Sequence, residues 1–269
     1  MIVEGIKALL EEIADKPDMI KVGYIKEYLQ AHILKQIYSN ESTNGLIFYG
    51  WTCLRFLFGL NRLSEDLDFV SKDFEDFEGL AEQFKKYFAQ FDIPVEVKVQ
   101  KFRIILKFKK FLGNFGLKYW NSSDLYIKVE ISSFIDFCKN YKVELYPIFK
   151  YNFSILVKSF DEPTLFATKI NAVLNRKWTR HTAKGVLSVK WRDIYDLFWW
   201  LSRDVKPNVE CIIWVKNIKE LKGKLKEVIK SLNFDEVVED IKNFVEDLEF
   251  VEFFSKQWKD YLLKMIEKM

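Results

Sequence analysis

The sequence predicts an α+β protein with a mixed β-sheet, flanking helices and a C-terminal helical domain. Three observations support this prediction. Several short segments of the first 160 residues alternate apolar and polar side chains, as half-buried strands do. From Asp161 onward the apolar residues instead recur at helical spacing. Asp66 and Asp68 stand two residues apart behind a glycine turn, which places a site in the first part of the chain. We therefore expect domains at residues 1–160 and 161–269.

The composition indicates a compact globular protein. Of its 269 residues, 17% are aromatic and 30% are charged, with 10 glycines and 5 prolines. The net charge of +3 permits RNA binding without arguing for it. No apolar run approaches the roughly 18 residues of a membrane span. Cys53, Cys138 and Cys211 lack metal-ligand spacing and, with no signal peptide, predict reduced thiols in a cytoplasmic protein.

Residues 1–40 predict two helices separated by a break at Lys16, Pro17 and Asp18. We expect both helices to pack beside the sheet, and partner binding is the alternative. Their apolar stripes consist of Ile6, Leu9, Leu10 and Ile13, and of Ile25, Leu29, Ile33, Leu34 and Ile37.

Residues 46–71 carry the most informative pattern. Leu46 to Tyr49 predicts a short buried strand that ends at Gly50. A short helix follows, with Gly59 just past its end. The segment Asp66 to Val70 predicts a second strand, on which Asp66 and Asp68 share one face.

Two carboxylates on one face repel each other, so a cation between them is favourable. Magnesium prefers such hard oxygen ligands and takes the rest of its shell from water and substrate phosphates. The alternative is an Asp-x-Asp at a solvent-facing strand end. However, the order of strand, glycine turn, short helix and Asp-x-Asp resembles the metal site of polymerase-beta-type nucleotidyltransferases.

Two motifs resemble the signatures of the AbiEii/AbiGii toxin family, the nucleotidyltransferase toxins of type IV toxin-antitoxin and phage-defence systems. The first is Gly50-x-Thr52-x-Leu54 followed by Phe58-Gly59-x-x-Arg62-x-Ser64-x-Asp66-Leu67-Asp68-Phe69. The second is Lys169-x-x-Ala172, Arg176 and Trp191-Arg192-Asp193-Ile194-Tyr195-Asp196-Leu197. The family usually has two adjacent glycines at the turn, whereas the second position here is Trp51.

The resemblance implies a polymerase-beta-like fold and a set of site residues. Asp66 and Asp68 would be catalytic and would hold two Mg²⁺ ions, with Glu130 as a third ligand. Lys169 would neutralise the triphosphate, and Asp193 would orient Lys169 or the attacking hydroxyl. The helical domain would thus contribute both residues to the cleft. The expected nucleotide contacts are Gly50, Thr52, Arg62, Ser64, Lys169 and Arg176.

Several of these residues have a simpler alternative. Glu130 lies on a predicted strand, residues 125–132, and could be a solvated residue paired with Lys128. Lys169 and Arg176 lie two helical turns apart and could be exposed helix charges. Asp193 near the start of the predicted helix 191–201 could be a capping acid or the partner of a nearby arginine.

The segments around these motifs are less specific. After an acidic loop at 72–79 we expect a helix at 80–91 and strands at 95–99 and 103–108. Residues 177–190 predict a basic loop, and residues 209–269 predict amphipathic helices. Residues 101–120 mix basic and aromatic side chains, a pattern that suits RNA or an ordinary hairpin: Lys101, Arg103, Lys107, Lys109, Lys110 and Lys118 with Phe102, Phe108, Phe111, Phe115, Tyr119 and Trp120.

The sequence therefore predicts a magnesium-dependent transfer of a nucleoside monophosphate from an NTP to an acceptor hydroxyl. The resemblance implies an RNA acceptor such as the tRNA 3′ end, a toxin of a toxin-antitoxin system, and a possible cognate antitoxin. No membrane partner is expected. The alternatives are transfer to a small molecule of the aminoglycoside type, and a nucleotide- or RNA-binding protein of weak catalytic power.

Overall fold

The computed structural model describes residues 1–132, 138, 140–175, 180–182, 185–187, 191–232, 241 and 243–269. The chain divides into two compact units, one formed by Met1–Phe134 with Val143–Ser159 and the other by Ile135–Lys142 with Phe160–Met269. Among the described residues, no helix combines the length and the apolar character that a bilayer crossing requires.

The first unit is built on a seven-stranded mixed sheet in the order β3-β4-β5-β2-β1-β7-β6. β1 runs parallel to β7 and β2 runs parallel to β5, while β1–β2, β3–β4 and β4–β5 are antiparallel. The strands are β1 (Ile47–Tyr49), β2 (Asp66–Val70), β3 (Glu96–Gln100), β4 (Arg103–Phe108), β5 (Leu125–Ser132), β6 (Val143–Lys150) and β7 (Phe153–Phe160). The predicted α+β mixed sheet with flanking helices is confirmed.

Four helices accompany this sheet: α1 (Ile2–Glu12), α2 (Asp18–Tyr38), α3 (Gly50–Phe58) and α4 (Phe77–Ala89). α2 packs against β5 and α4, and α4 also contacts β3 and β4. Alternation along the strands gives this core one apolar face, because every second side chain points into it. Its fully buried members include Phe48, Phe69, Ile104, Leu106, Ile127 and Val129.

Two parts of the first unit differ from the expected elements. α4 begins at Phe77 rather than Leu80, because the side chain of Asp76 accepts a hydrogen bond from the backbone N–H of Gly79 and caps the helix. The sequence patterns did not predict the neighbouring strands β6 and β7, although β7 pairs with the central strand β1. Tyr151 and Asn152 form the turn before β7 with positive φ angles of 53° and 61°.

The second unit is mainly helical, with α5 (Glu162–Asn175), α6 (Trp191–Leu201), α7 (Ile218–Ser231) and α8 (Leu248–Lys268). α5 packs against α6 and α7, and α8 packs against α6 and α7. Large aromatic rings fill its interior. Phe166 stacks on Trp200 with ring centroids 5.2 Å apart, and Trp191 contacts Trp258 edge-on with ring centroids 4.9 Å apart.

Residues 177–190 contain a short antiparallel ladder where a loop was expected. β8 (Arg180–Thr182) pairs with β9 (Gly185–Leu187). The loop prediction was therefore wrong for these two segments. The loop was predicted from the basic and polar composition of the segment, and composition does not determine whether two backbone segments pair.

The cysteines also differ from expectation. Cys138 and Cys211 form a disulfide within the second unit, across 73 residues of sequence. The prediction of reduced thiols was wrong for this pair, because sequence separation gave no indication that the two would meet. Cys53 is a buried thiol whose Sγ lies 3.2 Å from the hydroxyl oxygen of Ser159.

Candidate active site

Asp66 and Asp68 lie on one face of β2, with Leu67 and Phe69 buried on the other face. Antiparallel pairing with β1 places Tyr49 directly opposite Asp68. The chain leaves β1 at that point and turns into α3 at Gly50. The Asp pair therefore stands beside the turn that precedes a helix N-terminus, where backbone N–H groups are available to an anion.

Gly50 is required at this turn for two reasons. Its φ of +80° lies in the left-handed region, which side chains with a Cβ rarely adopt. A Cβ added there would also overlap the carboxylate of Asp68. The glycine thus allows the turn backbone and the Asp68 carboxylate to approach closely.

Trp51, which replaces the second glycine of the family pattern, stacks on Arg62. The guanidinium carbon of Arg62 lies 3.8 Å from the centroid of the indole ring, a cation–π contact. Arg62 is fully buried and its Nη1 donates a hydrogen bond to the carbonyl oxygen of Leu63 at 3.2 Å. In this arrangement the predicted nucleotide contact Arg62 supports the loop that leads into β2.

Thr52 and Ser64 connect α3 to β2. The buried Thr52 hydroxyl donates to the backbone carbonyl of Asp66 and lies 2.8 Å from the hydroxyl oxygen of Ser64. Gln30 of α2 donates to the Ser64 carbonyl oxygen at 3.3 Å. These bonds fix the backbone from which the Asp66 side chain projects.

The neighbouring strand β5 completes the open face of the sheet. Its parallel register places Lys128 beside Asp66 and Glu130 beside Asp68. Lys128 Nζ lies 3.6 Å from Asp66 Oδ2, whereas Glu130 pairs with Arg103 of β4 at 3.5 Å. The structure thus places Glu130 on the strand beside the Asp-x-Asp strand and pairs it with Arg103 rather than with Lys128.

The electrostatic environment of Asp66 favours an added cation. Burial raises the pKa of Asp66, Lys128 opposes that rise, and the negative charges of Glu65 and Glu130 add to it. Glu65 is itself held by Lys26 at 3.2 Å and by the Tyr119 hydroxyl at 2.7 Å. Neither Lys26 nor Tyr119 was expected to support the site, because both are distant from Asp66 in sequence.

Asp66 and Asp68 fit a magnesium ion in chemistry, since they offer hard carboxylate oxygens from one strand face. Over the part of the chain that the structure describes, no group of three or more Asp, Glu, His or Cys side chains gathers around one point. Among the described residues, Glu130 is therefore not gathered with Asp66 and Asp68 around one point.

The second unit holds the residues of the second motif. Lys169 of α5 is buried, and its Nζ lies 4.0 Å from Oδ2 of the fully buried Asp196 on α6. Asp193, one helical turn earlier, is also buried. The contact of Asp196 with Lys169 depends on how α5 and α6 pack. Arg176 lies outside the described residues.

The chain is similar to one protein family and to solved structures. The family described as "Nucleotidyl transferase AbiEii toxin, Type IV TA system" matches residues 32–268. JHP933 from Helicobacter pylori has a similar structure at 21% identity, with 91% of this chain and 94% of that chain covered and a TM-score of 0.51. A protein from H. pylori described provisionally as a nucleotidyltransferase aligns at 20% identity, 88% and 95% coverage and a TM-score of 0.47. The comparison with curated proteins gives no match.

The family match covers both motifs and most of both compact units. It confirms the resemblance inferred from the two motifs, and with it the expectation of an enzyme that transfers nucleotides. The JHP933 likeness, at its level of identity, supports the fold. The chain belongs to the AbiEii nucleotidyl transferase toxins of type IV toxin-antitoxin systems.

Proposed function

We propose that this nucleotidyltransferase moves a nucleoside monophosphate from an NTP to a hydroxyl at the 3′ end of an RNA, with tRNA as the preferred acceptor. The observation that carries the proposal is the Asp66–Asp68 pair on one open strand face, against the Gly50 turn. We further propose that the product blocks translation and that a cognate antitoxin opposes this effect, in keeping with the type IV family.

Each residue has a role that its position supports. Asp66 and Asp68 would hold two Mg²⁺ ions, which supply Lewis-acid stabilisation and an activated acceptor hydroxyl when bound. Gly50 would let backbone N–H groups approach the terminal phosphates. Thr52 and Ser64 would keep β2 in register with that turn, and Ser64 is near enough in sequence to Asp66 to contact a phosphate. Glu130 would join the site after exchanging Arg103 for a metal ion.

Residues of the second motif would serve the triphosphate. Lys169 would neutralise its charge, with Asp193 and Asp196 orienting the ammonium group. Arg62 would act through Trp51 and the loop before β2, and Arg176 would add a second cation for the phosphates. The packing of α5 on α6, which brings Asp196 to Lys169, supports the role of Lys169, and the roles of Arg62 and Arg176 follow the family pattern.

The test is to incubate the protein with total tRNA, Mg²⁺ and each of the four labelled NTPs. Asp66→Asn and Asp68→Asn should abolish labelling because they remove charge with little change of shape, whereas Asp73→Asn, an exposed acid of the same unit, should not. Label on RNA that depends on both aspartates supports the proposal. Absence of label on RNA, with label on an aminoglycoside, would replace it with the small-molecule alternative.

A further inference from the structure

The open sheet face next to Asp66 continues across two more strands. Lys128 stands beside Asp66, and Tyr126 precedes it on the same face of β5. The β4–β5 register places Lys107 opposite Tyr126 and Arg103 opposite Glu130. We call this surface the sheet platform and define it as Arg103, Lys107, Tyr126 and Lys128.

Tyr126 is the exposed ring of this surface. It is 43% exposed, whereas the rings of Phe108 and Phe111, which lie in the basic and aromatic segment 101–120, are buried in the core. Lys107 Nζ lies 5.5 Å from the centroid of the Tyr126 ring and 3.0 Å from Asp124 Oδ2. The Lys107 ammonium group, which is itself paired with Asp124, therefore lies against the Tyr126 ring. The ring remains accessible to solvent.

Strand geometry gives the separation between Tyr126 and the Asp pair. One strand spacing of about 4.8 Å and two residues of about 3.3 Å each place the Tyr126 and Asp66 backbones roughly 8 Å apart. Stacked nucleotides are spaced about 3.4 Å apart along one strand. Tyr126 thus lies about two nucleotide steps from the carboxylates.

Resting on the proposed function, we propose that the sheet platform binds the single-stranded 3′ end of the acceptor RNA, with a base near the terminus stacked on Tyr126. Aromatic side chains bind bases of any sequence through their rings, and basic neighbours track the phosphates. Lys107 and Arg103 exchange their carboxylate partners, Asp124 and Glu130, for phosphate oxygens. A surface that spans two neighbouring strands beside the Asp pair suits an extended chain better than a small sugar.

The test measures binding of a fluorescein-labelled single-stranded RNA dodecamer by anisotropy, with Tyr126→Ala, Tyr126→Leu and Tyr126→Phe. Loss of the ring should weaken RNA affinity roughly 5- to 150-fold, the range of one stacked base, whereas the Phe variant keeps the ring and its affinity. Phe149→Ala is the matched control, because Phe149 is 77% exposed on the edge strand β6 of the same sheet. Equal affinity in wild type and in a folded Ala or Leu variant would overturn the proposal.

Two further readouts separate this inference from the proposed function. Lys107→Met should reduce the slope of log affinity against log salt by about 0.7, the value for one phosphate contact on a single strand. In transfer assays Tyr126→Ala should raise the KM for RNA and leave the KM for NTP unchanged. If wild type labels RNA and Tyr126→Ala has the same KM for RNA, the proposed RNA binding by the sheet platform is wrong, whereas the proposed transfer to RNA is supported. If wild type labels no RNA, the function fails, and anisotropy still tests whether the platform binds RNA.

Discussion

The guanidinium of Arg62 lies 3.8 Å above the ring of Trp51, at the position where the family pattern has a second glycine. The departure from that pattern therefore has a partner in the fold: the large ring covers a buried arginine in the loop before the Asp pair. A cation–π contact that is desolvated contributes about 2 kcal/mol or more.

Replacing Trp51 with Gly should lower the free energy of unfolding by about 2 to 3 kcal/mol, since the cation–π contact is lost and glycine is unfavourable in the first turn of α3. Trp51→Phe should cost less, because a smaller ring still covers the guanidinium. Urea denaturation of both variants measures the difference. Equal stabilities for the Gly variant and wild type would show that the contact contributes nothing.

Gly50→Ala should reduce nucleotidyl transfer by about 100-fold, because a Cβ displaces the Asp68 carboxylate and displacements of about 1 Å have that effect on catalysis. Gly59→Ala is the matched control. Gly59 also has a positive φ, +72°, but a Cβ there would meet no atom within 4 Å. Similar activity losses in the two variants would point to backbone strain alone rather than to contact with Asp68.

Lys128→Met should tighten divalent-metal binding to the Asp pair, because the lysine no longer competes for Asp66 Oδ2. A partly exposed ion pair contributes up to about 1 kcal/mol, which corresponds to a roughly fivefold lower Kd for Mn²⁺. Calorimetric titration of Mn²⁺ measures it. Lys107→Met is the control and should leave the Kd for Mn²⁺ unchanged, because Lys107 pairs with Asp124. A higher Kd for Mn²⁺ in Lys128→Met than in wild type would contradict the prediction.

His32 should make folding stability depend on pH. Burial lowers the pKa of His32 to about 4, with Lys35 contributing in the same direction, and its Nδ1 lies 2.6 Å from the Tyr87 hydroxyl. Because the folded pKa lies below the unfolded value of about 6.5, the unfolded chain binds more protons in this window. The stability contribution is complete above pH 6.5 and decreases as the pH falls toward 4.

From this shift we expect His32 to lower the free energy of unfolding by about 2 kcal/mol between pH 7 and pH 5. His32→Gln retains a hydrogen-bonding group and cannot titrate, so the loss should be smaller in this variant by that amount. Denaturant titrations at several pH values measure both proteins. Parallel pH curves would show that the His32 ring is not protonated on unfolding.

Thiol titration tests the disulfide of the second unit. The unfolded, unreduced protein should react with one equivalent of Ellman's reagent, from Cys53, and the reduced protein with three. Cys211→Ser should instead show two thiols without reduction, because Cys138 loses its partner. Three reactive thiols in the unreduced wild type would contradict the pairing.

Short-range patterns determined the local structure around the site. Alternation predicted β2 and β5, and the glycine turn followed by Asp-x-Asp predicted which side chains share a face, because strand periodicity is a property of the backbone itself. The helical spacing likewise predicted α5 and α6 around Lys169 and Asp193. The same patterns placed Glu130 on a strand and could not choose its partner.

Long-range packing decided the contacts that these patterns left open. The strand order brought Lys128 beside Asp66 and Arg103 to Glu130, and the packing of α5 on α6 brought Asp196 to Lys169. The Cys138–Cys211 disulfide and the stacking of Arg62 on Trp51 depend on the course of the loops, which local sequence periodicity does not predict. The sequence by itself determined the family, the strands β2 and β5 and the carboxylate pair, because these depend on neighbouring residues. Only the tertiary structure decided which charges and rings surround that pair, because their partners come from distant segments.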